Sequence, residues 1–82
     1  MVDTYRSANP DGVGLTCCID DLANPGQAFA KRIDYILLTR ESLEELRVYA
    51  ARTILDQPQA LEGRWLWPSD HGGVLTELMP QD

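Results

Sequence analysis

Histidine is nearly missing from this chain; there is one, His71. Any chemistry that needs an imidazole near neutral pH therefore has a single place to occur. Cysteine is present only as the neighbours Cys17 and Cys18. There is no second pair to complete a zinc site, and vicinal cysteines rarely bond to each other, so both read as small thiols, buried or in a loop. Basic residues are scarce, 7 against 13 acidic ones, for a formal net charge of -6. Taken alone, such a surface is no electrostatic clamp for nucleic acid, although a substrate phosphate held locally through a metal stays open. No apolar run approaches the roughly 20 residues that span a bilayer, so no transmembrane segment is expected. The polar, charged start shows no signal peptide, and the compartment stays undetermined.

What is present reads as globular. Hydrophobic residues make up 44% of 82, too many for a disordered chain and ordinary for a packed one. With no repeat, low-complexity tract or internal linker, residues 1–82 read as one unit at most. A unit this short buries a smaller share of its surface than a typical domain and is correspondingly marginal.

In chain order, Val2 to Ser7 reads as a helix end or an extended lead-in, and Asn9-Pro10-Asp11-Gly12 as a turn. Gly14 to Ile19 fits a short strand, and Asp20 to Gln27, with Asn24-Pro25-Gly26, a loop. Arg32 to Thr39 is the clearest strand. Ile33, Tyr35 and Leu37 share one face and Asp34, Ile36 and Leu38 the other, so both faces are expected to be covered. Asp34 then stands out, because a buried carboxylate costs several kcal/mol unless it is paired or hydrogen-bonded. Arg32, a backbone N–H or His71 could satisfy it, or the residue lies at a wet strand end. Glu41 to Asp56 fits either a helix or alternation. We read a helical turn near Glu41 to Glu45, a strand from about Leu46 to Leu55, and a loop from Gln57-Pro58 to Gly63.

The chain is organised around Trp67-Pro68-Ser69-Asp70-His71-Gly72-Gly73-Val74-Leu75. Pro68 keeps Trp67 extended at the end of a loop. Gly72 and Gly73 permit backbone approaches that a Cβ would block. The alternation from Val74 to Leu78 reads as a strand. Asp70 and His71 would face opposite ways in a regular strand, but a turn at its entrance could bring both to one site. The plain alternative is a solvated loop entering an edge strand.

Asp3-Thr4-Tyr5-Arg6, Asn9-Pro10, Gly14-Leu15-Thr16, Arg32-Ile33-Asp34-Tyr35-Ile36 and Pro68-Ser69-Asp70-His71, in this order and spacing, resemble the C-terminal part of the endonuclease/exonuclease/phosphatase superfamily, the deoxyribonuclease I-like fold. The resemblance runs over nearly the whole chain. Thr16-Cys17-Cys18 with Asp21-Leu22 and Asn24-Pro25 is similar to a bacterial subgroup of that superfamily. It implies an α/β (α+β) architecture: part of a four-layer sandwich, mostly the antiparallel strands of one sheet, with a short helical turn. It also implies Mg²⁺-dependent hydrolysis of a phosphate ester whose class, nucleic acid, phospholipid or small molecule, stays open.

By the same resemblance His71 and Asp34 are the catalytic residues. His71 contacts the scissile phosphate, and Asp34 orients the imidazole and fixes its tautomer. Asp70 is the expected metal ligand, close to Mg²⁺ or its water. Ser69 is expected to bond local backbone and Arg32 to form a salt bridge or lie at the surface. The superfamily's early Gln-Glu and Asp-x-Asn motifs do not occur; Asp3 is followed two positions on by Tyr5. The expectation is therefore the back portion of a domain without its front half. It should be inactive or nearly so alone, and should self-associate or require the missing half. A second reading, of a different class, is a small non-catalytic interaction or dimerisation module with a structural Asp–His pair.

Overall fold

A computed structural model of the chain describes residues 1–81. The elements run β1 (Val2–Asp3), α1 (Thr4–Ala8), β2 (Leu37–Leu38), a 3₁₀ turn (Ser42–Glu44), β3 (Leu46–Ile54), β4 (Gln59–Leu61), β5 (Arg64–Leu66) and β6 (Gly73–Pro80). All strand pairs are antiparallel, but they form three two-stranded sheets, β1–β2, β3–β6 and β4–β5, rather than one sheet. Among the described residues no helix is long and apolar enough to cross a membrane.

The longest ladder pairs β3 with β6, from Leu46 opposite Pro80 to Ile54 opposite Gly73. Its register slips between Val48 and Ala50. Before the slip Leu46, Val48 and Ala50 turn inward; after it Ala51 and Thr53 do. The bulge inserts one residue and changes the parity of the buried face. It leaves Tyr49 exposed and buries Ala51.

Arg32 to Thr39 keeps the expected alternation, but only Leu37–Leu38 pairs in a ladder, with β1. One face alone is covered: Asp34, Ile36 and Leu38 are partly buried, whereas Ile33, Tyr35 and Leu37 are half exposed. The expectation of cover on both sides is thus corrected, because among the described residues no element packs over the outer face. The strand expected over Gly14 to Ile19 shrinks to bridges at Cys17, which touches Lys31 on one side and His71 on the other. The loop expected from Gln57 to Gly63 is instead the first half of a hairpin. Glu62 and Gly63 both take positive φ, 48° and 80°, as a two-residue type I′ turn requires. Glu62 carries no Asn-Gly or Asp-Gly signal, and three-residue strands are too short to show alternation.

Asp3 and Thr4 join the parts. The Asp3 carboxylate caps α1, accepting from Tyr5 N at 3.1 Å and Arg6 N at 3.3 Å. It also receives the Arg32 guanidinium through both terminal nitrogens. That guanidinium lies between the rings of Tyr5 and Tyr35, 4.9 and 4.7 Å from their centroids. Buried Thr4 donates from Oγ1 to Ile36 O at 3.0 Å, so Thr76 on β6 must be the donor in the 2.7 Å hydroxyl pair with Thr4. Asn9 closes α1 and reaches β3, donating to Tyr5 O and Ala51 O at 3.2 and 2.7 Å.

The interior is thin. Its fully buried side chains are Thr4, Thr16 and Cys17, joined by nearly buried Tyr5, Ile19, Ala51 and Trp67. The molecule measures 50 × 22 × 18 Å with a radius of gyration of 15.2 Å. A compact chain of this length would have about 12 Å. Its accessible surface is 5722 Å², against roughly 4,900 Å² expected for the mass. Apolar side chains on the outer face, the hairpin and the end of β6 account for part of that excess.

The Arg32 guanidinium holds the Asp3 carboxyl below the usual carboxylate range, more strongly than partial burial raises it. The pair's stabilisation is therefore complete above the ordinary carboxylate range and is lost as pH falls through the depressed folded value. Asp3→Ala is expected to cost about 2–3 kcal/mol, through loss of the cap and of the partner of a mostly buried guanidinium. Asp3→Asn should flatten the acid limb of stability. Urea unfolding from about pH 5 downward checks both.

Candidate functional site

The site begins with backbone. Thr16 N and Cys17 N both donate to Lys31 O at 3.0 Å, and Cys17 O accepts from Lys31 N at 2.7 Å. On the other side Gly72 N donates to Thr16 O at 2.8 Å, and Ile19 N to Asp70 O at 2.9 Å. The Thr16–Ile19 stretch is thereby threaded between the segment entering Arg32-Ile33-Asp34 and the segment Asp70-His71-Gly72. This brings Asp34 and His71 to the two flanks of Thr16. The turn into β6 depends on Gly72, where a Cβ would stand 2.9 Å from Ile54 O and 3.0 Å from the Phe29 ring. Trp67 anchors the approach, donating from Nε1 to Asn24 O at 2.8 Å and packing on Phe29 with centroids 5.2 Å apart.

Asp34 and His71 meet, the one of the partners left open for this carboxylate that the resemblance implied. His71 Nδ1 lies 3.0 Å from Asp34 Oδ2 and 3.3 Å from Oδ1. Thr16 Oγ1 donates to the same Oδ2 at 2.6 Å. Thr16 donates to the same oxygen, so against an ionised Asp34 the imidazole meets the carboxylate through an Nδ1–H, which leaves Nε2 as its other nitrogen. The Asp34 carboxyl is held below its ordinary range, chiefly by the Thr16 hydroxyl, against a smaller upward push from burial, with His71 adding to the lowering. Both side chains of the pair remain 36% exposed, so solvent reaches the dyad and screens it.

The other expected residues divide. Arg32 makes its salt bridge to Asp3 and does not serve Asp34. Ser69 Oγ accepts from His71 N at 3.5 Å and donates to Asp70 Oδ1 at 3.2 Å, a local bonding role. Asp70 is exposed, and Ser69 is the side-chain partner of its carboxylate among the described residues.

The sequence carried no mark of two further neighbours. Thr16 is buried and supplies the strongest bond to Asp34. Cys17, also buried, places Sγ 3.6 Å from His71 Nε2. The Cys18 sulfur lies directly against that of Cys17.

Magnesium fits these residues poorly. The ion takes oxygen ligands near-octahedrally, commonly one or two carboxylates with waters and substrate phosphate. Asp34 is engaged by Thr16 and His71, which leaves Asp70 alone. The potential ligand atoms that do converge are those of Cys17, Cys18 and His71, within 4.8 Å of one another, and two of the three are sulfur. Compared with protein-family models, curated proteins and solved structures, the chain matches none.

Two measurements check this geometry. Thr16→Val removes the hydroxyl while the Thr16 backbone bonds can remain. Because the folded carboxyl is depressed, the Asp34–His71 contact is complete above the ordinary carboxylate range and is released as pH falls through the folded value. The valine variant should move that release to higher pH, read as the Asp34 carboxyl ¹³C titration. Calorimetry with Mg²⁺ should show no micromolar binding at Asp70, and Asp70→Asn should leave the trace unchanged.

Proposed function

We propose that the Thr16–Asp34–His71 relay is the phosphate-facing acid–base element of a phosphoester hydrolase of the endonuclease/exonuclease/phosphatase type, within the back portion of its four-layer sandwich. The observation that carries this reading is the 3.0 Å contact between His71 Nδ1 and Asp34 Oδ2, with Thr16 fixing the carboxylate from behind. A ring held this way turns Nε2 away from the carboxylate, beside the Cys17 sulfur 3.6 Å off, while part of the ring stays open to solvent. In its protonated form it donates to a non-bridging phosphate oxygen or passes a proton to the departing alkoxide, and Asp34 stabilises the charge left on the ring. Thr16 keeps the carboxylate from rotating during the transfer. These are the contributions of this chain's own residues.

Under this reading the water-positioning groups and the oxygen ligands for magnesium lie outside the chain, with Asp70 its single contribution. Hydrolysis by these residues alone should be at or near background. Substrate class, nucleic acid or smaller phosphate ester, would be set by the same missing groups.

The non-catalytic alternative draws on a different observation, the open apolar face of Ile33, Tyr35 and Leu37 together with the surplus of accessible surface. On that reading the Asp–His pair only ties two segments together and the open face meets another chain.

The test is a titration of the chain with bis(4-nitrophenyl) phosphate, followed by imidazole NMR. The relay predicts saturable shifts of the His71 ring, loss of those shifts in Asp34→Asn, and slowed turnover in His71→Ala wherever the complete hydrolase can be assayed. An unresponsive ring, with His71→Ala lowering only the unfolding midpoint and sedimentation showing a dimer, would establish the alternative instead.

A further inference from the structure

We propose that β6 pairs edge to edge with β6 of a second copy of this chain, joining two β3–β6 ladders into one closed four-stranded sheet. The proposal stands on the two edges of that ladder and rests on neither reading of the Asp34–His71 pair.

The two edges differ. Along β3 the strand is blunted. The bulge between Val48 and Ala50 breaks its run, Asn9 of the α1 turn donates to Ala51 O, and Arg47 and Arg52 stand exposed. Bulges, charges and a covering turn are the devices that keep an edge from meeting another strand. Along β6 they are nearly missing. Gly73 to Met79 runs without interruption, meets proline only at Pro80 and carries one charge, Glu77. Leu75, Leu78 and Met79 are exposed on it. Among the described residues no hydrogen bond outside the β3 ladder reaches the main chain of Gly73–Pro80. That edge therefore carries a row of unpaired peptide groups, which is a template for a further strand.

Three features select a second copy as the occupant. A two-stranded sheet is marginal in water, and added strands make it self-supporting. Twofold pairing also closes. Once two β6 edges meet, both edges left over are the blunted β3, so the sheet stops at four strands. The area fits as well. An accessible surface of 5722 Å², against roughly 4,900 Å² expected for the mass, leaves about 800 Å² in surplus, close to what each partner of a standard-size pair buries. The formal charge of -6 on each copy opposes association at low ionic strength. At physiological salt, screening beyond about 8 Å leaves mainly the near neighbours to decide.

Those neighbours fix the register. Val74 and Thr76 turn inward, and a twofold axis normal to the sheet keeps them on one side in both copies, so the axis passes through a residue. The strand's midpoint lies between Thr76 and Glu77. Centring on Glu77 would set two carboxylates opposite each other, which is destabilising. Centring on Thr76 pairs it with itself and sets Val74 opposite Leu78 and Leu75 opposite Glu77. It also leaves Pro80, which has no N–H to give, outside the overlap.

Sedimentation equilibrium over a wide concentration range, with reductant present so that no intermolecular disulfide is counted, reads the association. The expected result is a reversible monomer–dimer equilibrium with no larger species. In the dimer, amide exchange should slow at alternate residues of Gly73–Met79 and not along β3. Leu75→Glu sets like charges opposite each other twice per dimer and should weaken it about 10-fold. Leu75→Lys sets a cation opposite Glu77 instead and should leave the dimer close to that of the unchanged chain. Leu75 is at the surface, so both variants leave the interior alone. Leu37→Glu, on the other open face, should not alter the association. A monomer throughout, growth past the dimer, equal loss in Leu75→Glu and Leu75→Lys, or a dimer broken by Leu37→Glu would each overturn the proposal. The hydrolase reading is decided at the His71 ring, which monomer and dimer both carry, so the two fail separately.

Discussion

The main-chain groups of Thr16 and Cys17 are the point on which the molecule turns. Lys31 bonds to them on one side and Gly72 on the other. Stretches far apart in sequence are brought into register by a handful of backbone hydrogen bonds, with little apolar packing to assist. Asp34 follows Lys31 by three residues on one flank and His71 directly precedes Gly72 on the other. Their contact is a by-product of backbone pairing, which the Thr16 hydroxyl then fixes in detail. Peptide groups buried there have to be paired, and this threading pairs them.

Polar tethers do much of what a larger interior would do elsewhere. Thr4 joins the turn of α1 to Ile36 and Thr76, Asn9 joins it to Ala51, and Asp3 closes on Arg32 between two tyrosine rings. Such bonds are directional and give orientation, but each contributes only about 1 kcal/mol net when neutral. The apolar residues meanwhile remain partly in water, most plainly Ile33, Tyr35 and Leu37 along one face. A framework built this way specifies geometry better than it supplies stability.

How much of this could be read from residues alone varies with the local physics. That Asp34 needs a partner was legible, because a carboxylate alternating with apolar residues is costly unpaired, but the pattern left Arg32, a backbone N–H and His71 open and only the resemblance singled out His71. The β3 strand was legible in extent, yet its pattern wavered between helix and strand. The bulge at Tyr49 explains why, since alternation changes phase there and mimics helical spacing over a few residues. The β4–β5 hairpin stayed hidden because Glu62 occupies a position where asparagine or aspartate would have announced the turn. The contributions of Thr16 and Cys17 were invisible for another reason. A hydroxyl and a sulfur acquire their roles only when distant backbone delivers a carboxylate and an imidazole to them.

Gly72 gives the β3–β6 ladder a mechanical meaning. The last rung joins Ile54 to Gly73, and beside it Gly72 leaves no room for a Cβ against the Ile54 carbonyl. The ring therefore sits two residues past the end of that ladder, where its backbone bridges to Cys17. Opening of that end would loosen one side of the imidazole's support, while the bonds from Gly72 to Thr16 and from Ile19 to Asp70 still held the other.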